Sequence, residues 1–145
     1  ADGDGNWTFT PDTDLAEGEF DFTATATDAA GNVSGTSNPV TLTIDITPPD
    51  APTITSTGVT NNPTPDITGE AEAGSTVEVF KGGTSLGTTI ADGDGNWTFT
   101  PDTDLAEGEF DFTATATDAA GNVSGTSNPV TLTIDITPPD APTIT

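Results

Sequence analysis

The first 55 residues of this chain recur without a single change as its last 55: Ala1–Thr55 reads as Ala91–Thr145, so residue 1 falls on residue 91 and the period is 90 residues. Periods of about 20–50 residues build solenoids or propellers, in which no unit buries a core alone. A unit of this size exceeds the roughly 60-residue domains that already fold by themselves. The chain is therefore expected to be a string of separate domains. Residues 1–47 would be the C-terminal part of one repeat, 48–137 a complete repeat, and 138–145 the start of the next. Identity this complete goes beyond what a shared fold requires. It marks a recently duplicated or homogenised tandem array, expected to continue past both ends of the sequence.

From the double proline onward, the complete repeat carries seven short β patterns and no helix. In "GEFDFTATATD", Phe110, Phe112, Ala114 and Ala116 fall on one face while Glu109, Asp111, Thr113, Thr115 and Thr117 fall on the other, the period-2 signature of a half-buried strand. "PVTLTIDI" alternates likewise and predicts Val130, Leu132, Ile134 and Ile136 inward; "NWTFT" puts Trp97 and Phe99 on one side. "TVEVF" supplies Val77 and Val79, "SLGTTI" supplies Leu86 and Ile90, and the weaker "PDITGEA" and "APTIT" supply Ile67 and Ile54. Gly, Pro, Asn and Asp separate all of them, as turns require. The expected fold is an all-β, immunoglobulin-like Greek-key β-sandwich of about seven strands in tandem repeat, without the buried disulfide of antibody domains, because the chain has no Cys.

Charge narrows the partners. Against 24 acidic residues stands the single Lys81, a formal charge of −23. That field repels nucleic acid and anionic membrane surfaces and attracts cations. No apolar run approaches the eighteen or so residues of a membrane span, and no signal peptide heads the sequence. With disulfides absent, a metal is the other usual staple for such domains. Low hydrophobicity and high charge also fit disorder, but the strict alternation favours folding.

The motifs "DITPPDAPTIT", "GEAEAGSTVEVF", "DGDGNWTFTP" and "TATATDAAGNVS", in that order and spacing, resemble the bacterial immunoglobulin-like repeats of giant biofilm-associated, type I-secreted adhesins. The resemblance covers essentially every position of the repeat. It implies a secreted stalk at the surface of a Gram-negative bacterium that holds an adhesive tip away from the cell. It also implies Ca²⁺ at or near the junctions between successive domains, and neighbouring repeats of the same chain as the immediate partners.

The residues themselves offer a site for that ion. In such a sandwich the first strand begins at the end carrying the second-to-third, fourth-to-fifth and sixth-to-seventh strand loops, so the linker "TIDITPPDAPTIT" arrives beside them. Asp45 and Asp50 of the linker, Glu70 and Glu72 of "GEAEAGS", and Asp118 and Asn122 of "DAAGN" are the expected ligands. Carboxylates gathered without a basic partner repel one another, and Ca²⁺, which takes about 6–8 oxygen ligands, relieves that repulsion. The prolines fix φ and remove donors, so the linker is stiff before any ion arrives. Against this stand blander readings. "TPPDAP" also suits a spacer with a solvated aspartate, and Glu72 and Asp118 also suit turn residues that satisfy backbone donors; the family resemblance favours ligation.

A second metal set is Asp92 and Asp94 of "ADGDGN", whose alternating oxygens compete with a plain hairpin turn, together with Asp102 and Asp104 of "PDTDLAEGE" at the opposite end. In that last stretch Leu105 is expected to plug the core. Outward threonines of "TATAT" suit an ordinary sheet better than an ice-binding face. "NWT" and "NVS" match glycosylation acceptors, expected to stay unmodified in a bacterium. Trp7 and Trp97 fit a core better than a sugar platform.

With no His, Cys or Tyr, only carboxylate pairs remain for catalysis, and those need a cleft that short loops do not provide. The expectation is a non-enzymatic structural extender, rigidified by Ca²⁺ and serving adhesion and biofilm formation. The alternatives are a carbohydrate- or surface-binding module, or a self-assembling extracellular matrix fibre of identical chains. Residues 1–47 cannot close a sandwich unaided. They are expected to be a segment of a longer fibre rather than the acceptor of strands from another chain.

Overall fold

All regular secondary structure is β. The structure, a computed structural model, describes every residue from 1 to 145, and its contacts separate two units, Ala1–Ile46 and Thr47–Thr145.

In the second unit, β3 (Thr53–Ile54), β5 (Ile67–Glu70) and β8 (Asn96–Phe99) form one antiparallel sheet in the order β3-β5-β8. The other sheet runs β4-β10-β9-β6-β7, from β4 (Gly58–Thr60) through β10 (Val130–Ile134), β9 (Gly108–Thr117) and β6 (Thr76–Lys81) to β7 (Thr84–Ile90). The inward residues of both sheets make one core. Ile54, Ile67, Trp97 and Phe99 come from the smaller sheet, and Val77, Val79, Phe112, Ala114, Leu132 and Ile134 from the larger. Leu105 closes the core between β8 and β9, its loop tied by the Leu105 N–H to the Pro63 carbonyl at 2.8 Å. Fully burying a side chain such as Phe, Leu or Ile contributes about 1.5–3 kcal/mol, so this single core is the main source of stability.

Close approach of the smaller sheet's neighbours depends on Gly69. A Cβ there would lie 1.9 Å from the Thr53 carbonyl oxygen and 2.5 Å from Trp97 Cζ2, so the indole packs directly against bare backbone.

Four features depart from the sequence expectation. The first strand divides: after β3 the chain crosses to the other sheet and adds β4 in parallel to β10, giving eight strands in this unit rather than seven. Ser56 supports the crossing by accepting the Thr68 N–H at 2.7 Å and donating to the Asp66 carbonyl at 3.1 Å. Secondly, Ile90 is 68% exposed, not inward. The register between β6 and β7 shifts after Val79, where Val79 faces Gly87 but Phe80 faces Ser85. The extra residue, Leu86, keeps its place against the core, while beyond it the alternation is inverted and Ala91 is buried instead of Ile90. Thirdly, β7 and β8 belong to different sheets, so "ADGDGN" is a corner between sheets and not a hairpin within one. Finally, β10 ends at Ile134 and leaves Ile136 half exposed.

Only the first half of β9 pairs with β10. Beyond Phe112 the edge facing away from β6 is satisfied by buried serines: Ser127 Oγ accepts the Ala114 N–H at 2.9 Å and Ser124 Oγ the Ala116 N–H at 2.8 Å.

The first unit repeats the sequence of residues 91–136. It has one two-stranded sheet, β1 (Gly18–Phe22) with β2 (Val40–Ile44), in the register Gly18↔Ile44 to Phe22↔Val40. That matches the Gly108↔Ile134 to Phe112↔Val130 register of the second unit. β1 stops at Phe22 although its sequence continues as in β9, and the stretch corresponding to β8 forms no strand.

Candidate functional site

Four loops of the form Asp-x-x-Gly-Asn, starting at Asp2, Asp28, Asp92 and Asp118, share one construction. Asp118 Oδ1 accepts the N–H groups of Ala120 and Asn122, each at 2.9 Å, and its Oδ2 accepts Asn122 Nδ2 at 2.8 Å. The Asp118 N–H reaches the Asn122 carbonyl at 3.1 Å, and the Gly121 N–H returns to the Asp118 carbonyl at 3.2 Å. Gly121 sits at φ +94°, a conformation that favours glycine. Asp92 closes its loop in the same way, accepting the Asp94 and Asn96 N–H groups at 3.0 and 2.9 Å. The Asn122 side-chain amide, followed by the backbone donors, holds the Asp118 carboxyl below its ordinary value, and Asn32 does the same for Asp28. Two of the sequence-predicted ligands thus also serve their own turns, Asp92 through Oδ1 alone and Asp118 through both oxygens, with the Asn122 amide on Oδ2.

Three others meet. Asp50, Glu70 and Glu72, with Ala51, Thr53 and Ala71, line one shallow opening at the start of the second unit. Strand register explains the convergence. β3 pairs with the end of β5 through Thr53↔Glu70, which brings the linker against the loop that follows β5. The Ala71 N–H bonds to the Gly95 carbonyl at 2.9 Å, so the "ADGDGN" corner borders the same loop. Pairing of Thr76 with Thr117 puts Asp118 at this end of the sandwich as well, though outside the lining of the opening. The carboxylates of Asp50, Glu70 and Glu72 are exposed and accept no hydrogen bond from the chain. No three acidic side chains are grouped closely enough to hold a metal ion by themselves.

The remaining candidates lie elsewhere. Asp45 belongs to the first unit and is exposed, as are Asp94, Asp102 and Asp104 in the second. Asp102 and Asp104 precede the Leu105 plug in the loop between β8 and β9. Nearby, Glu107 accepts the Thr137 hydroxyl at 2.8 Å. This tie between the base of β9 and the outgoing linker was not foreseen in the sequence, and no local motif announces it. Lys81, the one basic side chain, lies over the Phe110 ring, 4.4 Å from its centroid. Trp97 is 2% exposed in the complete repeat and so offers no surface for stacking.

The fold has known counterparts. The chain is similar to a structure described as a biofilm-associated protein BSP domain, with 25% identity and a TM-score of 0.50 over 86% of this chain and 20% of that one. It is similar to a tetra-tandem repeat in the extending region of a large adhesion protein, with 24% identity and a TM-score of 0.51 over 84% of this chain and 33% of that one. Fibronectin(III)-like modules of Clostridium thermocellum CbhA share the fold at 16% identity, with a TM-score of 0.53 over 83% of this chain and 64% of theirs. The chain thus spans a fifth to about two thirds of the length of these structures. Among curated protein sequences none matches. Residues 1–46 and 49–136, nearly the whole chain, match the bacterial Ig-like domain family, and the chain belongs to that family.

Proposed function

We propose that this chain is a stretch of spacer repeats in a bacterial surface adhesin, a structural extender rather than an enzyme, whose immediate partners are adjacent repeats of the same polypeptide. One observation carries the reading: a chain holding an immunoglobulin-like sandwich, with 55 residues repeated without change, aligns over 86% of its length and at 25% identity with a biofilm-associated protein domain. Likeness of fold to an adhesin's extending region supports it. The setting that goes with it is extracellular, at the surface of a Gram-negative cell reached by type I secretion. No helix is long and apolar enough to cross a membrane.

Calcium is part of the proposal. Asp50, Glu70 and Glu72 are the ligands one repeat offers, because they share an opening and their oxygens are unspent. Three such carboxylates are fewer than the 6–8 oxygens Ca²⁺ takes, so the rest of the shell falls to backbone carbonyls and water. When bound, the ion supplies the positive charge that a chain of formal charge −23 lacks. Extracellular modules bind Ca²⁺ at about 10⁻⁴–10⁻³ M. A hundredfold excess of ion over Kd would stabilise the folded state by about 2.7 kcal/mol.

The test is thermal unfolding and small-angle scattering with Ca²⁺ and with chelator. Chelation is expected to lower Tm by several degrees and broaden the distribution of end-to-end distances, and Glu72→Gln is expected to reduce both effects. A chain whose melting and scattering ignore chelator loses the calcium reading while the spacer role stands.

A further inference from the structure

The "ADGDGN" corner contains two bonds from Asp to Gly, Asp92–Gly93 and Asp94–Gly95, and the same two recur at Asp2–Gly3 and Asp4–Gly5. The other two Asp turns, at Asp28 and Asp118, continue into Ala. The difference is chemical. Glycine has no side chain to shield its amide nitrogen, so that nitrogen can attack Cγ of the preceding Asp. The N–H proton and the carboxyl OH then leave together as water, closing a five-membered succinimide. Water reopens the ring at either carbonyl, which returns Asp or gives isoaspartate, whose main chain runs through Cβ and Cγ. No other reactant is needed.

The corner obstructs a different half of this reaction at each bond. At Asp92 the attacking Gly93 N–H is exposed and unpaired, but the carboxylate is held, because its Oδ1 accepts the Asp94 and Asn96 N–H groups at 3.0 and 2.9 Å. Cγ cannot swing back onto the Gly93 nitrogen without breaking both bonds. At Asp94 the roles are exchanged. Its carboxylate is exposed and accepts no hydrogen bond, but the attacking Gly95 N–H donates to the Asp92 carbonyl at 3.0 Å, and Gly95 is buried at φ +86°. Both ends of the corner are also pinned. The Ala91 N–H reaches the Ser75 carbonyl and the Ala91 carbonyl accepts the Gly74 N–H, each at 3.0 Å, while the Gly95 carbonyl accepts the Ala71 N–H at 2.9 Å. Opening the corner therefore means breaking ties to the loop between β5 and β6 as well as the turn itself. The copy closes its turn alike: Asp2 Oδ1 accepts the Asp4 and Asn6 N–H groups at 3.0 and 2.8 Å, and the Gly5 N–H reaches the Asp2 carbonyl at 3.1 Å.

We propose that Asp92 and Asp94 are latent modification sites, which isomerise to isoaspartate in proportion to the fraction of time the corner is open. The fold thereby sets the covalent lifetime of a sequence that is labile by itself. Each isoaspartate adds one carbon to the main chain between the pinned residues Ala91 and Gly95, so a corner that has reacted no longer fits between its anchors.

The test follows isoaspartate in the full chain at neutral pH, folded and in urea, with a free peptide of residues 90–98 measured in both solvents as the control for urea. Glutamyl endopeptidase cuts after Glu17, Glu78 and Glu107 and so separates the two copies, and electron-transfer fragmentation assigns isoaspartate to each position. Local opening of a tied loop has a free-energy cost, so Asp92 and Asp94 are expected to react at least about tenfold more slowly in the folded chain than in urea. Gly95→Ala keeps the Asp92–Gly93 bond but brings a Cβ 2.7 Å from the Ala71 carbonyl oxygen at a φ that suits glycine. In that variant isoaspartate at residue 92 should form at close to the urea rate while Trp97 keeps its folded emission. Should the variant not fold, amide hydrogen exchange of Gly95 and Asn96 in the unaltered chain takes its place, and their protection should match the slowing at Asp94 and Asp92, since both report the open population. The proposal is overturned if the folded chain isomerises at the urea rate, if folded Gly95→Ala still protects Asp92, or if strongly protected amides accompany fast isomerisation.

Discussion

Asp118 and Asn122 hold each other through bonds that span five consecutive residues, and the same bonds form at Asp28 and Asn32. Since ionised Asp118 is the acceptor, its folded-state pKa lies below the ordinary 3.8. Its contribution to stability is therefore fully present above about pH 4 and is lost as pH falls through the lower folded value. Replacing Asn122 with Ala should move the Asp118 carboxyl back towards its ordinary range in an NMR titration and weaken the acid dependence of Tm below pH 4. No change in the titration would mean that the backbone donors alone set it. Gly69 presents the opposite case, a residue whose role comes entirely from what packs on it. A Cβ cannot fit 1.9 Å from the Thr53 carbonyl, so Gly69→Ala must displace β3 or the indole of Trp97. Its cost should reach or exceed the upper end of the 1–3 kcal/mol typical of overpacking, about 3 kcal/mol by urea denaturation. The five-residue turn was visible in the sequence as a repeated pattern, whereas nothing around Gly69 in the sequence announces Thr53 or Trp97 as its neighbours.

At the scale of the strand, alternation located most elements because a half-buried sheet enforces period 2 on its residues. It failed where one residue is inserted. The bulge at Leu86 turns Ile90 to solvent, and a bulge depends on how β6 meets β7, not on the composition of β7 alone. Ile90→Thr should accordingly change stability by no more than about 0.5 kcal/mol, while Ile67→Ala, in the core, should cost about 2–5 kcal/mol. Equal losses in equilibrium unfolding would put Ile90 back in the core. β4 escaped notice for a related reason. Its three residues, Gly58–Thr60, are too few to display a period and become a strand only by lying parallel to β10. That Asp50 lines one opening with Glu70 and Glu72 was legible because the topology delivers the linker to that end. The turns closed by Asp118 and Asp92 stood in the sequence only as the alternative to ligation, since local sequence does not decide between a ligand loop and a closed turn.

Across the whole molecule, duplication makes the chain its own control. Leu132→Ala should cost about 2–5 kcal/mol in the second unit, whereas the same substitution at Leu42, half exposed in the first, should leave the main unfolding transition almost unmoved. Comparable shifts from the two variants in calorimetry would show that Leu42 is as buried as Leu132. The comparison also separates local from tertiary determination. By itself the sequence determined what short-range bonds can build: the Asp turns and the hairpin register of β1–β2 and β9–β10 appear in both copies. Tertiary structure alone decided the rest. "GEFDFTATAT" is a ten-residue strand in β9 and a five-residue strand in β1, and "NWTF" is β8 in one copy and no strand in the other. The physical reason is that these segments need backbone partners and apolar cover from β3–β7, and a strand edge or an indole gains neither from its own neighbours in sequence.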